Sequence, residues 1–132
     1  VTLPTFRTYR DDVDGIFVLA LEGELDIATA AQLKRELDEI INAMPGPVVV
    51  DLTALTFLDS SGAAVLLDVA RRLTRAQRMF ALACPDGAPR QALEMMRLTN
   101  DLHVVDDREL AEEAVRVARS AGRPWFVASG RR

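Results

Sequence analysis

The chain has 132 residues, 16 of them basic and 20 acidic, with one histidine and a formal net charge of −4. That length is one domain by the usual size of domains, and it is enough to bury a core of its own. The acidic balance argues against direct nucleic-acid binding, which needs a basic face, and the single cysteine excludes an intramolecular disulfide or a cysteine-rich metal site.

No apolar run approaches the roughly 20 residues that cross a bilayer, so no membrane insertion is expected. The first residues lack a basic stretch followed by an apolar core, so no secretory signal is expected and a reduced cytoplasm is the natural compartment.

In chain order, residues 6–10 alternate aromatic and polar side chains and suit an edge strand. Asp14-Gly15 is a turn signal, and the apolar run 16–21 reads as a second strand, antiparallel to the first because the connection is short. Residues 23–26 read as an exit loop. Thr29 opens a helix, with Thr29-Ala30-Ala31-Gln32 matching a capping box. Ala30, Leu33, Leu37, Ile40, Ile41 and Met44 share its apolar face, and Lys34, Arg35, Glu36, Asp38 and Glu39 its solvent side. Pro45-Gly46-Pro47 stops it, and the order strand, helix, strand predicts a right-handed parallel crossover.

The unbroken β-branched run Val48, Val49, Val50 predicts a strand covered on both faces, ended by Asp51 and Thr53. Phe57 and Leu58 return the chain to the core, and Asp59-Ser60-Ser61-Gly62 delivers it to a helix with Ala63, Leu66, Leu67, Ala70 and Leu73 inward. Ser and Asp favour helix starts because their oxygens accept the unpaired N–H groups of the first turn, so these four residues alone read as a cap. The basic end of this helix, Arg71, Arg72, Arg75 and Arg78, complements the helix dipole, with a partner-binding patch as the other reading.

Residues 79–84 form the next strand, in which Cys84 is a buried small hydrophobe, and Pro85-Asp86-Gly87 turns the chain. A short helix over 89–99 places Leu93, Met96 and Leu98 inward, with Met95 and Met96 as core filler, and Asn100 takes the left-handed conformation that ends it. Residues 103–105 are a last short strand, with His103 in a structural or exposed role. Asp106 or Asp107 caps a final helix over 108–122, with Leu110, Ala114, Val117, Ala118 and Ala121 inward and Glu109, Glu112, Glu113, Arg116 and Arg119 outward. Gly122-Arg123-Pro124 ends it. The element order predicts an α/β fold: one mixed sheet of about five strands with an antiparallel N-terminal hairpin, packed with about four helices. Residues 1–122 form the domain and residues 123–132 a tail. In that tail Trp125, Phe126 and Val127 are apolar yet belong to no periodic element, so it either packs back or is disordered.

Catalytic constellations are missing. A serine nucleophile needs a base and an orienting group, and the chain has one histidine and no G-x-S-x-G elbow. There is no phosphate-binding G-x-x-x-x-G-K-[ST] loop and no pattern of a metal cage. No catalytic residue, metal or cofactor is therefore expected, and the chain is not expected to be an enzyme.

The longer pattern says more than the cap. Asp51, Leu52, Thr53, Phe57, Leu58, Asp59, Ser60, Ser61 and Gly62 together resemble the signature of the STAS domain in anti-sigma factor antagonists. A second element of that family, GELD followed by Thr-Ala, is matched by Gly23-Glu24-Leu25-Asp26 with Thr29-Ala30. The resemblance covers about residues 6–122; Asn100 stands where the family often has Gly, a mild departure. It implies that Ser60, with Ser61 as second choice, accepts phosphate from an anti-sigma factor that is also a serine kinase. It implies partner contacts at Asp26, Thr29, Asp59, Ser60, Ser61 and Gly62. The unphosphorylated protein would bind the anti-sigma factor and free a sigma factor, and a metal-dependent serine phosphatase would reverse the mark. A phosphate there would meet the free N–H groups and positive dipole end of the helix. The competing readings are a constitutive STAS scaffold subunit of a transporter or lipid-transport complex, and an enzyme or small-ligand binder. The oligomeric state is left between a monomer and a weak dimer.

Because no periodic element contains the tail, deleting residues 125–132 is expected to leave the melting temperature nearly unchanged. A large loss in thermal denaturation would show that Trp125 and Phe126 are core residues or a dimer contact.

Overall fold

Asp14 and Gly15 both take positive φ (54° and 79°), the requirement of a two-residue hairpin turn whose twist matches its strands. They join β1 (Phe6–Val13) to β2 (Ile16–Leu25), which pair antiparallel. The chain then alternates: α1 (Ile27–Ala43), β3 (Val48–Leu58), α2 (Ser60–Arg75), β4 (Phe80–Ala83), α3 (Ala88–Met95), β5 (Val104–Val105) and α4 (Arg108–Ala121). The sheet order is β1-β2-β3-β4-β5, and every pairing after the hairpin is parallel. The computed structural model describes residues 5–121, and the expectations for the tail lie outside them.

The valine run of β3 explains the layering. Val48 and Val50 join Leu19, Leu21, Phe80 and Leu82 in the core closed by α1, α2 and α3. Val49 points the other way, with Ile16, Val18, Ala81 and Ala83, to Ala111, Val115 and Ala118 of α4. All three valines are fully buried, as a strand between two helical layers requires.

Several boundaries differ from the sequence expectation. β2 runs through residues 23–25, read as a loop, and β3 runs past Asp51 and Thr53 to Leu58. The two strands go on pairing through register shifts between Ala20 and Glu22 and between Gly23 and Glu24. Polar residues do not end β3 because its distal half is only partly covered. The Asp51 carboxylate accepts the Thr53 amide at 2.9 Å and its hydroxyl at 2.6 Å, and further along Phe57, expected in the core, is 47% exposed.

α1 starts three residues earlier than expected, after Asp26. α3 is one residue over two turns, buries only Pro89 and Leu93, and leaves Met95 85% exposed, so Met95 is not core filler. The chain leaves α3 at Arg97 (φ 59°), not Asn100: Leu98 donates its amide to Leu93 and Arg97 to Glu94, the bond pair of a Schellman ending. Asp107 caps α4, accepting the Leu110 amide at 2.8 Å. α4 buries Ala111, Val115 and Ala118, while Leu110 and Val117 face out. The helical period fits both stripes, and the small residues win because α4 lies close on the sheet.

Two of the arginines at the basic end of α2 reach α1. Arg72 bonds Asp38 of α1 at 2.6 Å. Half-buried Arg78, just past α2, donates to the carbonyls of Ile41, Met44 and Gly46, which satisfies the end of α1. Across the sheet, Arg108 bridges Asp11 of β1 and Glu112, each at 2.7 Å, and fastens α4 to the hairpin.

At the start of α2, Gly62 is buried against Leu25 and Leu58. A Cβ there would lie 2.8 Å from Leu25 Cδ2 and 3.1 Å from Leu58 Cδ1, and both leucines are buried. Gly62→Ala is therefore expected to cost about 1–3 kcal/mol by overpacking, read as a lower urea midpoint with an unchanged m-value.

Burial depresses the His103 imidazole from 6.5 to about 4. In the unfolded chain it takes a proton near 6.5, in the folded chain only near 4. Stability is therefore complete above 6.5 and falls as pH drops through that window, by at most about 1.4 kcal/mol per pH unit. Denaturation midpoints measured across the window should show this slope, and His103→Asn, which tolerates the residue's positive φ of 51°, should flatten its upper half.

Candidate functional site

β2 and β3 lie side by side and parallel, and their last residues, Leu25 and Leu58, are register partners. Each strand is followed by one aspartate and then a helix, so the GELD and DSSG segments, 33 positions apart in their aspartates, end at the same edge of the sheet. Asp26 caps α1: its Oδ1 accepts the amides of Ala28 at 2.9 Å and Thr29 at 3.1 Å. Thr29 completes a reciprocal box, accepting the Asp26 amide at 2.9 Å and donating to the Glu24 carbonyl at 2.9 Å. Thr29 is thus the last residue of the box and not its first, because Asp26 has the extended backbone of a cap and its carboxylate accepts the first amides.

Asp59 repeats the arrangement on α2, with Oδ1 accepting the amides of Ser61 at 2.9 Å and Gly62 at 3.1 Å. Its own amide donates to the Leu25 carbonyl at 3.2 Å, and the Thr56 hydroxyl donates to the Gly23 carbonyl at 3.0 Å, so the two junctions are tied together. Gly62 seats the first turn of α2 on Leu25 and Leu58.

Ser60 is the first residue of α2 and is exposed; Ser61 is half-buried. The cap of α2 is Asp59, which leaves the Ser60 hydroxyl without a hydrogen bond among the described residues. The expectation that a phosphate here would meet free amides needs correcting. Asp59 already holds those of Ser61 and Gly62, so a group on Ser60 would stand beside a carboxylate, in solvent, on a ledge.

The structure thus brings Asp26, Thr29, Asp59, Ser60, Ser61 and Gly62 to one end of the sheet. It gives Asp26, Thr29, Asp59 and Gly62 the work of holding it, and leaves Ser60 facing out. Two large apolar side chains in the same segments are exposed as well: Ile27, 79% exposed directly after the Asp26 cap, and Phe57, 47% exposed two residues before Asp59. Exposed Glu22 and Glu24 complete the rim. Sequence reasoning passed over Ile27 and misplaced Phe57. Ile27 lies three residues before buried Ala30, where helical spacing alone points inward; its exposure follows only from where α1 begins. No described helix is long and apolar enough to cross a membrane.

Comparison with known proteins places this geometry. The chain is 28% identical over 108 residues to the anti-sigma-F factor antagonist RsfB of Mycobacterium tuberculosis, an alignment covering 82% of this chain and 88% of RsfB. It is 31% identical over 108 residues to BtrV of Bordetella bronchiseptica, named as a proposed anti-sigma factor antagonist, covering 82% of this chain and 93% of BtrV. Among solved structures, an anti-sigma factor antagonist from Mycobacterium paratuberculosis superposes with a TM-score of 0.80 at 26% identity, covering 88% of this chain and 99% of that one. The family pattern described as the STAS domain matches residues 10–111, which include both capped junctions, and the chain belongs to the STAS domain family.

Proposed function

We propose that this chain is an anti-sigma factor antagonist of the cytoplasm, switched by phosphorylation of Ser60. Unphosphorylated, it binds an anti-sigma factor with serine kinase activity and so releases a sigma factor. Phosphate on Ser60 ends the binding, and a serine phosphatase restores it. The chain acts by binding and as a substrate, not as a catalyst. One observation carries the reading: an exposed serine with an unengaged hydroxyl stands at the first position of a helix whose cap is already supplied by its neighbour. The names of its relatives support the partner class.

The physics of the ledge fits a switch that acts on binding and not on folding. Phosphoserine adds roughly −1.5 to −2 charge near neutral pH. On exposed Ser60 that charge is solvated in the free protein, and no described hydrogen bond is broken to admit it. In a complex it would be pressed into an interface beside the Asp59 carboxylate, where desolvation and like-charge repulsion oppose it. A loss of about 3 kcal/mol there weakens binding roughly a hundredfold.

Because Asp59 is the cap, Ser60→Ala is expected to abolish phosphorylation while leaving stability and partner binding close to those of the unmodified protein. Ser60→Asp should weaken binding, less than a full phosphate does, with the melting temperature unchanged. Phosphosite mapping by mass spectrometry after incubation with ATP and the kinase partner, together with calorimetric affinities, reads both. Phosphate at Ser61 would move the site by one residue and keep the mechanism. No modification of either serine, with Ser60→Asp binding as tightly as the parent, would end the switch and leave the constitutive scaffold.

A further inference from the structure

β1 forms one edge of the sheet and pairs with β2 alone, from Phe6↔Gly23 to Val13↔Ile16, without a register shift. Thr5, one step before this register, accepts the Glu24 amide at 2.7 Å. In an antiparallel pair, successive residues turn their backbone groups alternately toward and away from the neighbour. Odd-numbered positions of β1 therefore bond β2, and Phe6, Thr8, Arg10 and Asp12 turn theirs outward. The Asp12 amide agrees, being met by Asp11 Oδ1 at 2.8 Å and not by β2. Among the described residues no strand covers this outer row. Natural edges are usually blunted by proline, a bulge or charged side chains; β1 has neither proline nor bulge, and its four charges, two of each sign, can be met by those of a second copy.

We propose that β1 is a self-association edge. It pairs antiparallel with β1 of a second copy about a two-fold axis midway between the two copies of Tyr9, joining two sheets into one. An axis normal to the sheet keeps each face on its own side, so it must pass midway between one residue and its own copy and set positions equally distant from that residue opposite each other. At Tyr9, it sets Arg7 opposite the partner's Asp11 and Thr8 opposite the partner's Arg10. At Arg10, it would set guanidinium against guanidinium; at Thr8, it would create no opposite-charge pair. Opposite charges directly across a ladder stabilise it and like charges oppose it. Arg7 is exposed and makes no ion pair among the described residues, and Asp11 is held in place by Arg108 at 2.7 Å. The pattern complements itself, which an isologous contact requires and a contact with a different chain does not. Strand pairing over seven residues, Phe6 to Asp12, is a smaller contact than the roughly 800 Å² per partner of a stable interface, so the association is reversible and depends on concentration. The Ser60 ledge, at the ends of β2 and β3, stays open.

Sedimentation velocity from about 10 μM to about 1 mM spans the affinities of such a contact, and the weight-average mass should rise toward twice that of the chain. Thr8→Pro should hold it at the monomer, since the amide it removes points outward and the β1–β2 ladder keeps its bonds. Arg7→Glu should weaken association about tenfold, as one charge pair turned repulsive on each side of the axis would, and adding Asp11→Lys should restore it. Tyr9→Cys should form a disulfide-linked dimer under mild oxidant, because a non-hydrogen-bonded pair sets Cα atoms about 4.5 Å apart, whereas Arg7→Cys should not; Cys84 is buried and stays silent. A monomer throughout the range overturns the proposal, as does a folded Thr8→Pro that associates like the parent. Should Thr8→Pro fail to fold, equal cross-linking of Tyr9→Cys and Arg7→Cys overturns the register.

Discussion

β3 is hydrogen-bonded along its first residues on both sides and covered on both faces, and the other elements are placed by that demand. Val48, Val49 and Val50 alternate, so one strand needs two apolar layers. α1, α2 and α3 close one layer and α4 the other. Each buried valine contributes on the order of 1.5–3 kcal/mol. β4 is as fully buried, but it pairs with β5 only at Leu82 and Ala83. The ion pairs between elements are arranged around this core. Arg72 with Asp38 joins α2 to α1, and Arg108 with Asp11 joins α4 to β1. Such pairs are partly exposed and fix orientation more than they add stability.

The parallel pairing of β2 with β3 has a consequence at its far end. Two strands that finish in register deliver two helices from the same edge, and each helix start needs an acceptor for its first amides. Asp26 and Asp59 supply them, and the bond from the Asp59 amide to the Leu25 carbonyl locks the two junctions together. With the caps provided by the aspartates, the residue after Asp59 is released from structural duty. Ser60 can present a hydroxyl to solvent without loosening α2, with Ile27 and Phe57 exposed in the same two segments. The proposed switch needs that separation: a modified group that the fold does not depend on.

Much of this was legible in the chain itself. The turn at Asp14-Gly15, the valine run, the helix after DSSG and the order of elements are local patterns, written in spacing and in backbone preference, and they lead to the α/β sheet with its N-terminal hairpin. The matches at Gly23-Glu24-Leu25-Asp26 and at Asp59-Ser60-Ser61-Gly62 led to the family in the same way, because they are contiguous.

Tertiary structure alone decided the rest, wherever a local pattern allows two answers or the partner is distant in sequence. Helical spacing on α4 fits a stripe through Leu110 and Val117 as well as one through Ala111 and Val115, and only the closeness of the sheet selects the smaller side chains. Arg78 reads as a cation at the end of its own helix, yet its acceptors are carbonyls more than 30 positions away, at the end of α1. The sequence by itself determined that a serine would follow an aspartate at a helix start. That the aspartate takes the cap, that Gly62 must be small to rest on Leu25, and that both motifs share one ledge depend on β2 and β3 ending side by side, which no window of the chain contains.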